Sequence, residues 1–245
     1  MVELKVISKK YNDEDILELT NAEEVISLAT NLENGLAKGS LSQKKDNSSF
    51  TFVCPNSSRN GQKIYTGATG QFAVSLGGKS KAEGKRAVSE GTQTIAEGNY
   101  SHAEGNNSIS VGSSSKAEGL QCVALGEQSH AEGNNSVAEG NCSHAEGEGT
   151  LAQGYCSKTS GLESVATAGY SSAHGIGTRA VNLGQYVVGK YNQESGSGLF
   201  VVGNGTGKES QNRSNIFVVE EDGIKVGGTK ITEQQLIQLL ALIGY

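Results

Sequence analysis

A glycine stands at every seventh residue from Gly70 to Gly161 without a missed step. A seven-residue period also belongs to coiled coils. Here, however, each Gly would cost a helix roughly 1 kcal/mol relative to Ala, and the seam positions would lack large apolar residues. The spacing is instead that of a stack of similar short units, approximately x-x-Ser-x-Ala-x-Gly, as in Asn99–Gly105, Glu127–Gly133 and Asn134–Gly140. In such a chain function resides in a repeated surface rather than in one pocket.

Composition agrees with a thin stack. Aromatic residues make up 5% of the 245 positions, Trp is absent, and there are 34 Gly and one Pro, which leaves little material for a large globular core. Small residues at strict spacing suit a narrow, closely stacked interior. A disordered Gly/Ser linker would share the composition but not the register. The formal net charge of -6, without any Lys/Arg cluster, argues against a nucleic-acid partner. No stretch reaches the roughly 18–20 apolar residues of a membrane helix, and the N-terminus has no signal-peptide core, so no membrane insertion is expected.

Within each unit the third and fifth positions are small while the fourth and sixth vary, the alternation of a short strand with an inner and an outer face. The inner set includes Ser80, Ala87, Thr94, Ser101, Ser108 and Ser115, followed by Cys122, Ser129, Ser136, Ser143, Thr150 and Ser157. The Gly is expected to supply a positive-φ turn that carries the chain to the opposite side of the coil. The fourth position shows that two units make one 14-residue turn. Ile95, Ile109, Val123, Val137, Leu151 and Val165 alternate with His102, Lys116, His130, His144 and Lys158. One outer face is therefore apolar and the other charged. Val74, Val88 and Lys81 break this pattern, so the first turns are expected to form a differently packed entry cap. An apolar stripe along so thin a rod, at about 25 cal/mol per Å², is best buried against copies of itself. A homo-oligomer with Ile95, Ile109, Val123, Val137, Leu151 and Val165 toward its partner subunits is expected.

Sharper chemistry is not indicated by the residues that would suggest it. His102, His130 and His144 share Ser-His-Ala-Glu-Gly contexts, but Lys116 occupies an equivalent place and is a poor metal ligand. The column is thus read as a solvated charge ladder paired with Glu104, Glu118, Glu132 and Glu146, with no metal and no cofactor expected. Repetition also argues against catalysis, which needs one asymmetric constellation; no enzyme is expected and no catalytic residue is assigned. Gly184 to Lys190 approaches a phosphate-binding loop, but Tyr191 stands where the magnesium-binding hydroxyl belongs. Calcium-binding coils need recurrent Asp, and none occurs between Asp46 and Asp222. An ice-binding coil would need regular outward Thr, and the hexapeptide acyltransferase coil has another period. Cys54, Cys122, Cys142 and Cys156 form no Cys-x-x-Cys pair and are read as free thiols, Cys122 filling an interior Ser position. Cys142 and Cys156 share a repeat position and are placed on adjacent turns.

From about Gly70 to Gly175 the units resemble the head repeat of YadA-like trimeric adhesins. That resemblance implies a left-handed parallel β-roll assembled as a parallel homotrimer. The segment from Gly198 to Gly223 resembles modules that follow such repeats in phage-type proteins. The sequence shows neither a signal peptide nor a terminal set of barrel strands, so the expected setting is a phage or prophage tail fibre or baseplate, made in the host cytoplasm and carried on the virion. The alternative is the head of a bacterial surface adhesin.

The expected organisation has four parts: an attachment or capping segment over 1–65, repeats over 66–178, a β module over 179–228 and an amphipathic helix over 229–245. Thr20–Glu23 looks like a capping box before a short helix in VISLATNL, and Phe50–Cys54 reads as a strand. Strands are expected at Tyr186–Val188, Leu199–Val202, Ile216–Val219 and Ile224–Val226, with a turn at Glu221–Gly223. Thr232 is the expected cap of the last helix, whose Leu236, Leu239, Leu240 and Ile243 form an adhesive stripe for a trimeric clasp or for packing on the β module. The loops Asn192–Gly198 and Asn204–Ser214 are candidate contacts with a host receptor, through Asn192, Glu194, Asn204, Lys208, Asn212 and Arg213. Expected partners are two further copies of the chain, other tail or baseplate proteins and a host surface receptor.

Overall fold

The computed structural model describes residues 8–11, 14–17, 28–29, 40–43, 50–53, 67–194 and 196–243. These fall into two compact units, Met1–Ser114 and Ser115–Tyr245.

In the first unit Ser8–Tyr11 and Glu14–Leu17 form an antiparallel pair. Leu28–Ala29, Ser40–Gln43 and Phe50–Val53 are joined antiparallel, and Phe50–Val53 then lies parallel to Val74–Gly78, where the coil begins. The strand at 50–53 was expected from its sequence. The helix expected in VISLATNL is not present at Leu28–Ala29, which is a strand; the rest of that segment, its capping box and Cys54 lie outside the described residues. From residue 67 each turn contains one two-residue strand and one five-residue strand. Ile95 is in register with Lys81 and Ile109, and His102 with Val88, giving the expected 14-residue turn. Val74 and Val88 sit in the same register as their successors, so the early turns are not a differently packed cap. The sequence irregularity changes the outer side chains and leaves the backbone coil alone.

The second unit continues the same design. Lys116, His130, His144 and Lys158 are register partners along the five-residue strands, while Val123, Val137, Leu151 and Val165 are partners along the short ones. Parallel pairing extends beyond the expected boundary at 178, through Tyr186–Lys190 to Phe200–Asn204. Antiparallel pairing then takes over with Asn215–Glu220, Gly223–Val226 and Thr229–Thr232. The strand at 229–232, absent from the sequence reading, precedes a helix at Glu233–Leu242.

The interior is as thin as its composition demands. Ala82, Ala96 and Ala103 in the first unit, and Ala117, Ala131 and Ala145 in the second, are fully buried beside Ser and Thr. Hydroxyls remain inside because backbone carbonyls receive them: Ser89 Oγ donates to Thr94 O at 3.0 Å and Ser136 Oγ to Gly147 O at 2.9 Å. Cys122 replaces one such Ser and is also fully buried. At the end of the coil larger residues enter the same inner positions, with Gln185, Val187, Asn192 and Val201 all buried.

Every second glycine of the column has the positive φ expected of it, and the alternate set does not. Gly133 has φ +108, but the alternate set represented by Gly140 lies outside the positive-φ region altogether. The left-handed position common to both turns comes two residues after each Gly and is generally not Gly, as at Tyr100 with φ 60 and Asn135 with φ 55. That conformation costs roughly 1–2 kcal/mol for an L-residue. A bond to the preceding turn offsets it: Tyr100 N donates to Lys85 O, and Asn135 N to Leu120 O, both at 2.8 Å. What requires Gly is close backbone approach. A Cβ on Gly140 would lie 2.6 Å from Gly154 C and 2.7 Å from Gln153 O.

Candidate functional site

The two outer faces of the coil arise from the same alternation that buries Ser and Ala. On the short strands of the first unit Ile95 stacks on Ile109; on those of the second, Val123, Val137, Leu151 and Val165 form a column. All six are partly exposed, while the Ala or Ser that follows each is buried. Lys81 precedes the column in the first unit and Arg179 follows it in the second. Each unit therefore presents an aliphatic stripe with a cation at one end.

On the five-residue strands the polar column is more tightly linked than a fully solvated ladder. In the second unit Lys116 Nζ lies 2.7 Å from Glu118, and the same carboxylate accepts from His130 Nε2 at 3.0 Å. His130 stands 4.0 Å from Glu132, the partner expected for it. In the first unit His102 lies 3.9 Å from Glu90 rather than pairing with Glu104. Neighbouring rungs are roughly 4.8 Å apart, whereas same-face residues on one strand are about 6.6 Å apart, so diagonal reach across rungs competes with pairing along the strand. The Lys116 hydrogen bond holds the Glu118 carboxyl below its ordinary range. The His130 and His144 rings meet edge to face with centroids 4.8 Å apart. Burial, together with the neighbouring His130, lowers the His144 pKa.

Further along the second unit the column next to it reads Glu146, Ser160, His174 in register. Ser160 Oγ and His174 Nδ1 are 2.6 Å apart, a contact the sequence reading did not anticipate. The order is wrong for a nucleophile, base and orienting acid, because Ser160 lies between the carboxylate and the imidazole. The pair closes a side-chain ladder instead. Tyr186 and Phe200 then stack at 5.9 Å, with Phe217 edge-on to Phe200.

The candidate receptor loops divide on inspection. Asn192 is not a surface contact: it is fully buried, its Oδ1 accepts from Arg179 N at 2.7 Å and its Nδ2 donates to Arg179 O at 2.9 Å. It caps the end of the coil as another strand would. Arg213 is similarly committed, donating from Nη1 to Gly177 O at 3.0 Å and Asn192 O at 3.1 Å, and from Nε to Lys208 O at 2.9 Å. Glu194, Asn204, Lys208 and Asn212 remain exposed, with Glu194 paired to Arg179 at 3.0 Å and Lys208 paired to Glu163. Beside them Glu220, nearly buried, accepts from Lys225, Lys230 and Ser197.

Thr232 caps the final helix as expected, in a complete capping box with Gln235. The helix buries none of its residues: Leu239, Leu240 and Ile243 are 54%, 49% and 62% exposed, and Leu236 is partly exposed. It does not pack back on the β module, which leaves its adhesive stripe unpartnered among the described residues. No described helix is long and apolar enough to cross a membrane. Cys122, Cys142 and Cys156 are free, and burial raises the Cys122 thiol.

Comparison with known families matches the model of the YadA head domain repeat at residues 68–94, 89–115, 103–121 and 117–141. No curated protein matches the chain. Residues 68–141 of this chain are similar to the YadA head domain repeat.

Proposed function

We propose that the chain is a structural adhesion protein of a phage or prophage tail fibre or baseplate, acting as a homotrimer that presents a host-binding surface. The aliphatic stripe on each unit carries this reading. Ile95 and Ile109, and separately Val123, Val137, Leu151 and Val165, are partly exposed in regular columns that the described residues leave uncovered. Two further copies in parallel register would cover them, as the YadA-type repeat implies, and the exposed leucines of the C-terminal helix would meet their counterparts at the same end. A trimer also presents three copies of each exposed loop, so weak contacts through Glu194, Asn204, Lys208 and Asn212 gain avidity.

The head of a bacterial trimeric surface adhesin is the second reading, favoured by the YadA head match itself. Gold-labelled antibodies raised against the chain separate the two. Labelling of tail tips or baseplates on purified particles supports the first, and labelling of intact, uninduced bacterial cells supports the second. Loop deletion over 204–214 followed by separate assembly and adsorption assays tests recognition: lost adsorption with normal assembly is the expected result. Normal adsorption would reduce the protein to scaffold.

A further inference from the structure

We propose that His130, Glu132 and His144 form a site for a divalent transition-metal ion of the zinc type on the outer face of the second unit. One ligand atom from each residue lies within 4.8 Å of the others. The two imidazoles come from adjacent rungs in exact register, and Glu132 projects from the same strand as His130, two residues on. Two nitrogens bound to one zinc ion stand about 3–3.5 Å apart at Zn–N distances of about 2.0–2.1 Å, so the ligand atoms need to draw together by no more than about 2 Å to close on one ion. Two imidazoles and a carboxylate are the ligand chemistry of zinc, nickel or cobalt rather than of calcium or magnesium. Glu118 is hydrogen-bonded to Nε2 of His130 at 3.0 Å, so this ring would ligate through Nδ1, with Glu118 as the outer carboxylate that orients it.

The presence of Lys in the same column weighs against metal binding along its whole length but not at this pair of rungs. Lys116 and Lys158 are the register partners on either side and confine the site to His130 and His144. Lys116 is itself engaged with Glu118. In the first unit Glu90, His102 and Glu104 also gather within 4.8 Å, but with a single imidazole, which makes them an internal control.

The test uses the full chain, stripped with chelator, dialysed and titrated with zinc chloride by calorimetry. The expected result is one zinc ion per chain, with binding weakened at least about tenfold in the double variant His130→Gln/His144→Gln and unchanged in His102→Gln. Cobalt(II) added to the unaltered chain gives a second reading, expected as a visible absorption band of nitrogen and oxygen ligation that zinc abolishes. Absence of zinc binding by the unaltered chain, unchanged binding by the double variant, or loss of binding through His102→Gln overturns the proposal.

Discussion

Replacing Gly140 by Ala isolates the role of close approach between turns, because Gly140 lies outside the positive-φ region and its substitution carries no left-handed strain. The new Cβ would meet Gly154 C at 2.6 Å and Gln153 O at 2.7 Å, and Gly154 O closer still. These atoms are backbone, so relief requires one turn to move away from the next. The bonds at risk are Glu139 N to Ala152 O at 2.8 Å, Gly140 N to Ala152 O at 3.2 Å and Ser157 N to Gly154 O at 3.1 Å. At about 1–3 kcal/mol for each buried backbone group left unpaired, partial loss of these three amounts to about 3–6 kcal/mol. That is a large part of the roughly 5–15 kcal/mol that keeps a domain folded. Gly149→Ala is the matched control: φ is +62, yet its Cβ would meet nothing nearer than Glu163 Cγ at 3.5 Å, leaving a backbone cost of roughly 1–2 kcal/mol. Urea denaturation followed by circular dichroism compares the two. A Gly140→Ala variant no less stable than Gly149→Ala would refute close backbone approach as the reason for the glycine column.

Asn192→Ala should cost about 1–3 kcal/mol, since it removes the part-buried bonds to both the N–H and C=O of Arg179; thermal melting of the variant checks this. Acid should loosen the C-terminal hairpins. The Lys225 hydrogen bond depresses the Glu220 pKa below its ordinary 4.5, so the stabilisation is complete above that value and is lost as pH falls toward the folded pKa. Glu220→Gln should flatten that acid limb in a pH series of melts. His144 adds a limb at higher pH: its folded pKa is lowered from 6.5, so stability declines as pH falls below 6.5, and His144→Gln should remove that portion. In the native protein Cys142 and Cys156, both partly exposed, should react with a thiol reagent while buried Cys122 reacts only on unfolding, as mass spectrometry of the labelled peptides would show.

The coil was legible because its constraint is periodic. Ser and Ala at the third and fifth positions, and the alternation of Ile95 and Ile109 with His102, specify both the inner face and the 14-residue turn. The Gly column was legible as a pattern, but its cause was not. Whether a Cβ meets the next backbone is a three-dimensional property, and the left-handed residues, such as Tyr100 and Arg86, are too varied in type to announce themselves. Asn192 was misread as a loop residue although a signal existed: it follows Ser136, Thr150, Ser164 and Thr178 at intervals of fourteen and inherits their buried position. The Gly column lapses at Ala168, while the interior column continues. The diagonal bond from His130 to Glu118 could not be read from spacing, because it depends on reach between rungs rather than on order along one strand.

Self-association through the aliphatic stripes is tested most directly by multi-angle light scattering of the purified chain beside the double variant Val137→Asp/Leu151→Asp. The unaltered chain is expected at about three times its 25.4 kDa mass, and the variant at a lower mass or aggregated while keeping its β-type circular dichroism. A monomeric unaltered chain at micromolar concentration, or a variant that remains trimeric, would contradict the assignment of these residues to the subunit interface.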